Sequence, residues 1–170
     1  MKNILLLSDT HSYLDERMLY YAKQADEIWH AGDVGSLSVT DTLQQLAPVR
    51  GVYGNIDDAK LRTVFPLFNA FECEQVNVLM THIGGTPKRY AKGIQKQLLI
   101  HRPHLFVCGH SHILKVQFDK KNQLLYMNPG AAGTSGFHNV RTMLRFVIDQ
   151  KDIRDLEIIE LGNRTSTPTL

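Results

Sequence analysis

Apolar and polar positions follow two rhythms along this chain. Residues 4–7 form a short continuous apolar run that stops at Ser8-Asp9, the pattern of a strand buried on both faces. Residues 14–25 carry apolar side chains at helical spacing, through Leu14, Met18, Leu19 and Ala22. Residues 27–31 predict a second strand, stopped by Gly32-Asp33, and residues 38–46 a second helix. Residues 48–53 predict a third strand, stopped by Gly54-Asn55. This strand–helix alternation predicts parallel strands joined by helical crossovers.

The rhythm then changes. Residues 68–74 and 76–80 predict adjacent strands with a tight connection, and residues 87–100 a helix with Pro87 in its first turn. Residues 105–108 are apolar and end at Gly109-His110. Further strands are expected over 113–118, 124–127, 142–148 and 156–161, with few helical signals between them, so this half is expected to be mostly antiparallel. No internal repeat, low-complexity block or linker interrupts the chain. The pattern describes an α/β fold of two packed sheets with helices on the outer faces. Its length suits one domain over residues 1–162, with 163–170 a polar tail expected to fray.

Composition narrows the function classes. Hydrophobic residues make up 43% and charged residues 21% of the 170, as in an ordinary soluble protein. No apolar run is long enough for a membrane helix, so no membrane partner is expected. The N-terminus reads as an interior strand rather than a secretion signal, which predicts a cytoplasmic location. On that reading Cys73 and Cys108 are buried free thiols, not a disulfide. The net charge of +2, from 19 basic and 17 acidic residues, gives no basic stripe, and a nucleic-acid partner is not expected.

Eight histidines change the picture. The first predicted strand ends in Asp9-Thr10-His11, the second in Gly32-Asp33, the third in Gly54-Asn55. The strand over 76–80 ends in Thr81-His82, and that over 105–108 in Gly109-His110-Ser111-His112. Ligands of open α/β sheets bind beyond the carboxyl ends of the strands. Five such ends here deliver a metal-capable side chain. In an extended segment residues two apart point the same way, so Asp9 with His11, and His110 with His112, are expected to reach common sites. The glycines before the ligands permit tight turns and close backbone approach. Asp oxygens, an Asn carbonyl and imidazoles suit Mn, Fe, Zn, Co or Ni better than Ca or a thiolate metal. Seven candidates, Asp9, His11, Asp33, Asn55, His82, His110 and His112, are too many for one tetrahedral ion. They serve two if a carboxylate is shared, the arrangement that clamps both oxygens of an in-line phosphoryl displacement.

The set D-x-H, G-D, G-N, H and G-H-x-H, in this order and each after an apolar run, resembles the calcineurin-like metallophosphoesterase superfamily. Within it the chain is similar to the small YfcE-type phosphodiesterases, over residues 2 to about 160. The resemblance implies a four-layer α/β/β/α sandwich of two mixed sheets. It implies a dinuclear-metal phosphoesterase, a phosphodiesterase by preference, working by attack of a metal-bridging hydroxide on a small phosphate ester. Asp9, His11 and His112 would hold one ion, Asn55, His82 and His110 the other, and Asp33 would bridge them. Asp33, Asn55 and His82 would carry the catalytic roles. Mn2+ is the first choice of cofactor, with Ni2+, Zn2+, Fe2+, Co2+ and Mg2+ as alternatives, and the resemblance is compatible with a homodimer or tetramer. Asn128-Pro129-Gly130 resembles a turn common in the small members. The competing reading is a protein-interaction scaffold, a role that a retromer subunit of similar fold fills; here every ligand position keeps a ligand-capable residue.

One departure matters. Many members have G-N-H-[DE], whereas this chain has Gly54-Asn55-Ile56-Asp57, so Ile56 offers no proton to a leaving group. Asp57 reads either as a group that orients Asn55 or a water, or as an exposed turn residue. His101 and His104 read as loop residues. His30, inside a strand, reads as a hydrogen-bonded residue rather than a ligand. His138, in the Gly-rich segment 133–139, reads as a surface or hydrogen-bonded residue, with contact to a substrate at the mouth of the site as the alternative. Trp29, Tyr20 and Tyr21 read as core or interface residues.

Overall fold

The computed structural model describes residues 1–165. A first sheet grows from the N-terminal half: β1 (Lys2–Leu7), β2 (Glu27–His30) and β3 (Val49–Gly51), mutually parallel. Their crossovers are helices α1 (Glu16–Ala22) and α2 (Leu37–Gln44). Helix α1 begins where the Asp15 carboxylate caps the Met18 N–H, two residues later than the apolar spacing predicts. A short helix not signalled by the pattern, α3 (Ala59–Val64), follows, capped in the same way by Asp58 on Leu61 N.

The second sheet contains β4 (Phe68–Cys73), β5 (Val76–Thr81), β8 (Leu105–Val107), β9 (Leu114–Asp119) and β10 (Leu124–Pro129), in the order β4-β5-β8-β10-β9. Its centre is parallel, β5 with β8 and β8 with β10; only the edge strands β4 and β9 are antiparallel. The expectation of a mostly antiparallel half holds outside this parallel centre. Helix α4 (Ile94–His101) carries the chain from β5 back to the start of β8, and such a crossover makes the two strands parallel. That helix is also shorter than predicted. Pro87 lies in the turn of a small hairpin, β6 (Gly85–Thr86) with β7 (Arg89–Tyr90), and α4 starts only after Gly93.

The last two strands, β11 (Val140–Asp149) and β12 (Asp152–Asn163), return to the first sheet, giving the order β12-β11-β1-β2-β3. Of the tail expected to fray, Asn163 pairs with Val140 in β12, and the Arg164 N–H is donated to Asn139 O. Residues 166–170 lie outside the described residues.

Alternation along each strand fixes the layers. Ile4, Leu6 and Trp29 of the first sheet face Val76, Val78, Met80, Leu105 and Val107 of the second. Trp29 is fully buried there, edge-on to Phe71 and Phe146. Leu5, Leu7 and Ile28 point the other way, onto Met18, Ala22, Leu43 and Leu61 of α1, α2 and α3. Leu79, Phe106 and Tyr126 point outward onto Ile94 and Leu98 of α4. The result is α/β/β/α, with both sheets five-stranded and mixed. Cys73 and Cys108 are buried and free. Among the described residues no helix is long and apolar enough to cross a membrane.

Candidate metal centre

The carboxyl ends of β1, β2, β3, β5 and β8 converge along one rim between the sheets. Asp9 follows β1 and is completely buried. Its Oδ2 accepts from Ser8 Oγ (2.6 Å) and from the His110 backbone N–H (3.1 Å), which ties β1 to the end of β8. Its Oδ1 faces His112 Nε2 at 3.0 Å, His82 Nε2 at 3.8 Å and His11 Nε2 at 3.9 Å. Asp33, after β2, directs Oδ2 to His82 Nε2 (3.3 Å) and His11 Nε2 (3.5 Å), while Oδ1 accepts from Ile56 N–H (3.1 Å). Asn55 Oδ1 lies 3.1 Å from His82 Nε2.

Two three-residue groups emerge, Asp9–His11–His112 and Asp33–His82–His110, whose donor atoms lie within 4.8 Å of one another inside each group. The seven side chains expected from the strand ends are therefore brought to one rim. The backbone that does so differs from expectation. Asp9, His11, Asp33, His110 and His112 all have positive φ, between 46° and 68°. They are not extended, so Asp9 and His11 converge through left-handed turns rather than through strand alternation. Such a cluster of non-glycine residues in the left-handed region is the kind of backbone strain that concentrates at functional sites. Close approach constrains the third strand end as well: a Cβ at Gly54 would run into the Asp33 carboxylate.

Hydrogen bonds outside the rim aim the imidazoles. His82 Nδ1 donates to Ala31 O (2.7 Å), so its Nε2 is the nitrogen turned to the carboxylates. His138 Nε2 donates to Gly133 O (2.9 Å), leaving its Nδ1 to accept from His112 Nδ1 (3.2 Å), so His112 Nε2 points at Asp9. His11 Nε2 is buried and has no hydrogen-bond partner, although it stands between two carboxylates. A buried nitrogen left unsatisfied in this position suits a cation between His11, Asp9 and Asp33. The mixed carboxylate and imidazole donor set fits a divalent ion such as Mn, Fe or Zn.

Electrostatics agree. Burial raises the Asp9 carboxyl, but the His112 hydrogen bond, the His82 charge and Ser8 outweigh it and hold the pKa below the usual range. For Asp33, burial is likewise outweighed by His82, the Ile56 N–H and His11. Burial lowers His82, and the neighbouring Asp33 and Asp9 more than reverse this, so its pKa is raised. Carboxylates kept ionised against imidazoles form a site in which a cation can take the place of protons.

Three residues singled out in the sequence without assigned partners support the rim. His30 is buried and held neutral, its pKa pushed down to about 4 by burial. It donates from Nε2 to Thr10 Oγ1 (2.9 Å) and accepts from Gly32 N–H (3.2 Å), gripping the backbone beside three ligands. Asp57 is not an exposed turn residue: it is 3% exposed and accepts from the backbone N–H groups of Val34, Gly35 and Gly54. Asn128 donates to Gly109 O (2.9 Å) and Ser111 Oγ (3.1 Å), which gives the Asn128-Pro129-Gly130 turn a task under the G-H-x-H loop. Among the remaining histidines, His104 bonds Asn77 at the start of β5, the opposite end of the strand from the rim, and His101 closes α4.

Comparison with known proteins agrees with this geometry. A protein of Methanothermobacter thermautotrophicus described as a probable metallophosphoesterase is 26% identical over 162 residues, covering 92% of this chain and 91% of its own. The fold is shared with a Thermotoga maritima protein solved in solution (23% identity, TM-score 0.71, covering 95% of this chain and 100% of that one). It is also shared with Vps29 of Entamoeba histolytica in complex with zinc (13% identity, TM-score 0.74, 96% and 99%). The family model for the calcineurin-like phosphoesterase superfamily domain matches residues 1–151. With that span including every side chain of the rim, the chain belongs to the calcineurin-like phosphoesterase superfamily.

Proposed function

We propose that the protein is a dinuclear-metal phosphoesterase that hydrolyses small phosphate esters, phosphodiesters by preference, with Mn2+ the first choice of ion. One observation carries this reading: two adjacent donor triads, Asp9–His11–His112 and Asp33–His82–His110, share a rim where His11 Nε2 is orphaned between two carboxylates. Asp9, His11 and His112 would hold one ion and Asn55, His82 and His110 the other, with Asp33 between them. When bound, the ions would supply Lewis acidity toward the phosphoryl oxygens and would lower the pKa of bound water toward ~7.

The chain's own residues do the positioning. Two divalent charges, about +4, against −2 from Asp9 and Asp33 leave the rim cationic, which favours an anionic ester. His82, locked by Ala31 O, keeps Nε2 on the Asp33 side of the rim. Asn55 turns Oδ1 to His82, leaving Nδ2 to donate to a phosphoryl oxygen. Ile56, next in sequence, keeps the leaving-group side free of a proton donor at that position.

A scaffold on the same fold is the second reading, supported by the Vps29 likeness. Metal binding alone does not separate the two, since that Vps29 is itself described in complex with zinc. The experiment is metal analysis of the purified protein together with p-nitrophenyl mono- and diesters under added Mn2+, Ni2+, Zn2+ and Mg2+. The expected result is two ions per chain and metal-dependent diester hydrolysis. Absence of metal-stimulated turnover on every ester overturns the enzyme reading in favour of the scaffold.

A further inference from the structure

The cleft over the metal rim, about 500 Å³, has a polar floor and an apolar wall. The floor is made by the candidate ligands. The wall is Ile56, Ile113 and Phe137, which are 47%, 66% and 102% exposed. Single exposed apolar residues need no explanation, but three large ones around one cleft mark a binding surface.

Each wall residue is joined to a ligand. Ile56 follows Asn55, and its N–H bonds the Asp33 carboxylate. Ile113 follows His112, and its N–H is donated to Ser111 Oγ (3.2 Å). Phe137 precedes His138, which bonds His112. Gly136 (φ 126°) lies so close to the His112 ring that a Cβ there would collide with it, which sets the Phe137 loop against the rim. The bonds that aim the ligands therefore also place the wall.

Charge completes the picture. Among the described residues no Lys or Arg lines the cleft. The arginines at its edges, Arg62 and Arg164, are turned to the backbone carbonyls of Asn55 and His138, so the cleft itself presents an apolar wall rather than a cation beside the metal rim.

We propose that Ile56, Ile113 and Phe137 form the subsite for the organic group of the ester, and that this group carries a flat, uncharged ring seated against Phe137. The inference rests on the phosphoesterase reading and names its substrate class. An aromatic side chain offers a ring a face for stacking, and the two isoleucines cover its edge. A simple aryl group and a nucleobase share this chemistry.

Non-hydrolysable ligands separate binding here from any effect of leaving-group quality. Methylphosphonate, phenylphosphonate and the 5′-methylenephosphonate analogue of adenosine 5′-phosphate are titrated calorimetrically into the Mn2+-loaded protein and into its Phe137→Ser and Ile113→Ser variants. The wild-type protein is expected to bind phenylphosphonate about tenfold tighter than methylphosphonate, from burial of part of one ring. Either variant is expected to bring that ratio toward one. The ratio is taken within one preparation, so it does not depend on the folded fraction. A Phe137-dependent gain with the adenosine phosphonate assigns a nucleobase; a gain with phenylphosphonate alone assigns an aryl group. Equal ratios in wild type and variants overturn the subsite and leave the phosphoesterase reading standing. Failure of metal-loaded wild type to bind any of the three overturns both.

Discussion

His112 and His138 meet Nδ1 to Nδ1 at 3.2 Å, and only one of the two nitrogens can carry the proton of that bond. Because His138 Nε2 is already committed to Gly133 O, the proton belongs to His112. His138 thereby selects the His112 nitrogen that faces Asp9. Removing such a support weakens metal binding by about 10–100-fold in comparable sites. His138→Ala is expected to lose affinity in that range in a competitive-chelator titration. His138→Gln, which can still accept and donate, recovers part of it. Unchanged affinity in His138→Ala contradicts the relay.

Asp33 reaches His11 (3.5 Å) and His82 (3.3 Å) through a single oxygen, more closely than Asp9 Oδ1 does (3.9 and 3.8 Å). Asp33→Ala is expected to reduce bound metal and to abolish turnover together. Metal analysis alongside diester hydrolysis checks this, and near-normal activity removes the bridging role.

Leaving-group dependence tests the Asn55-Ile56 step. With no proton donor at position 56, log kcat/KM is expected to fall as the pKa of the leaving alcohol rises, and a flat plot is inconsistent with this. Ile56→His is expected to raise hydrolysis of alkyl esters more than of aryl esters, which protonate least.

Asp57 gathers three backbone donors from two strand ends, at 3.1, 2.8 and 2.7 Å. Asp57→Ala strands those N–H groups in a buried site and is expected to cost roughly 3 kcal/mol of stability. Denaturant unfolding of the metal-free protein measures it; a loss within error of zero contradicts the buried role.

Glu27 gives a pH signature far from the rim. It is 3% exposed, and although burial raises its pKa, Arg50, Lys2 and the Trp29 N–H outweigh that and bring it from 4.5 to about 2. The folded value is the lower one, so the unfolded chain takes up the proton first on acidification. The contribution is complete above 4.5 and is lost between 4.5 and about 2. The stability difference between wild type and Glu27→Gln, in the metal-free protein, is expected to shrink over that window. A difference constant from neutral pH to the lower end speaks against the assigned partners.

Strand ends were the most legible part of the chain, because apolar runs there stop abruptly at Asp9, Asp33, Asn55, His82 and His110 and burial forces such runs inward. What pattern cannot carry is partners far apart in sequence. Asp57 bonds Val34 and Gly35, more than 20 residues earlier, and nothing local in Asn55-Ile56-Asp57 distinguishes that from a surface turn. His30 is similar, its bond to Thr10 crossing from β2 to the end of β1. The left-handed backbone at Asp9 and His11 was illegible too, since neither is glycine. Pro87 misled through a real preference: proline suits a first helical turn and a tight hairpin equally, and Gly93 decided where α4 begins. Parallel pairing of β5 with β8 followed from the α4 crossover, and that of β8 with β10 from the return through β9, rather than from any strand's own sequence.

Each donor triad draws on both halves of the sandwich. Asp9, His11 and Asp33 stand on the first sheet; His82, His110 and His112 stand on the second. Cations gripped there would act as rivets through a seam otherwise closed by interleaved aliphatic and aromatic side chains. Chelation would then do more than silence a reaction: it would unpin one end of the sandwich, and opening would start at that mouth while the far ends of the strands stayed shut.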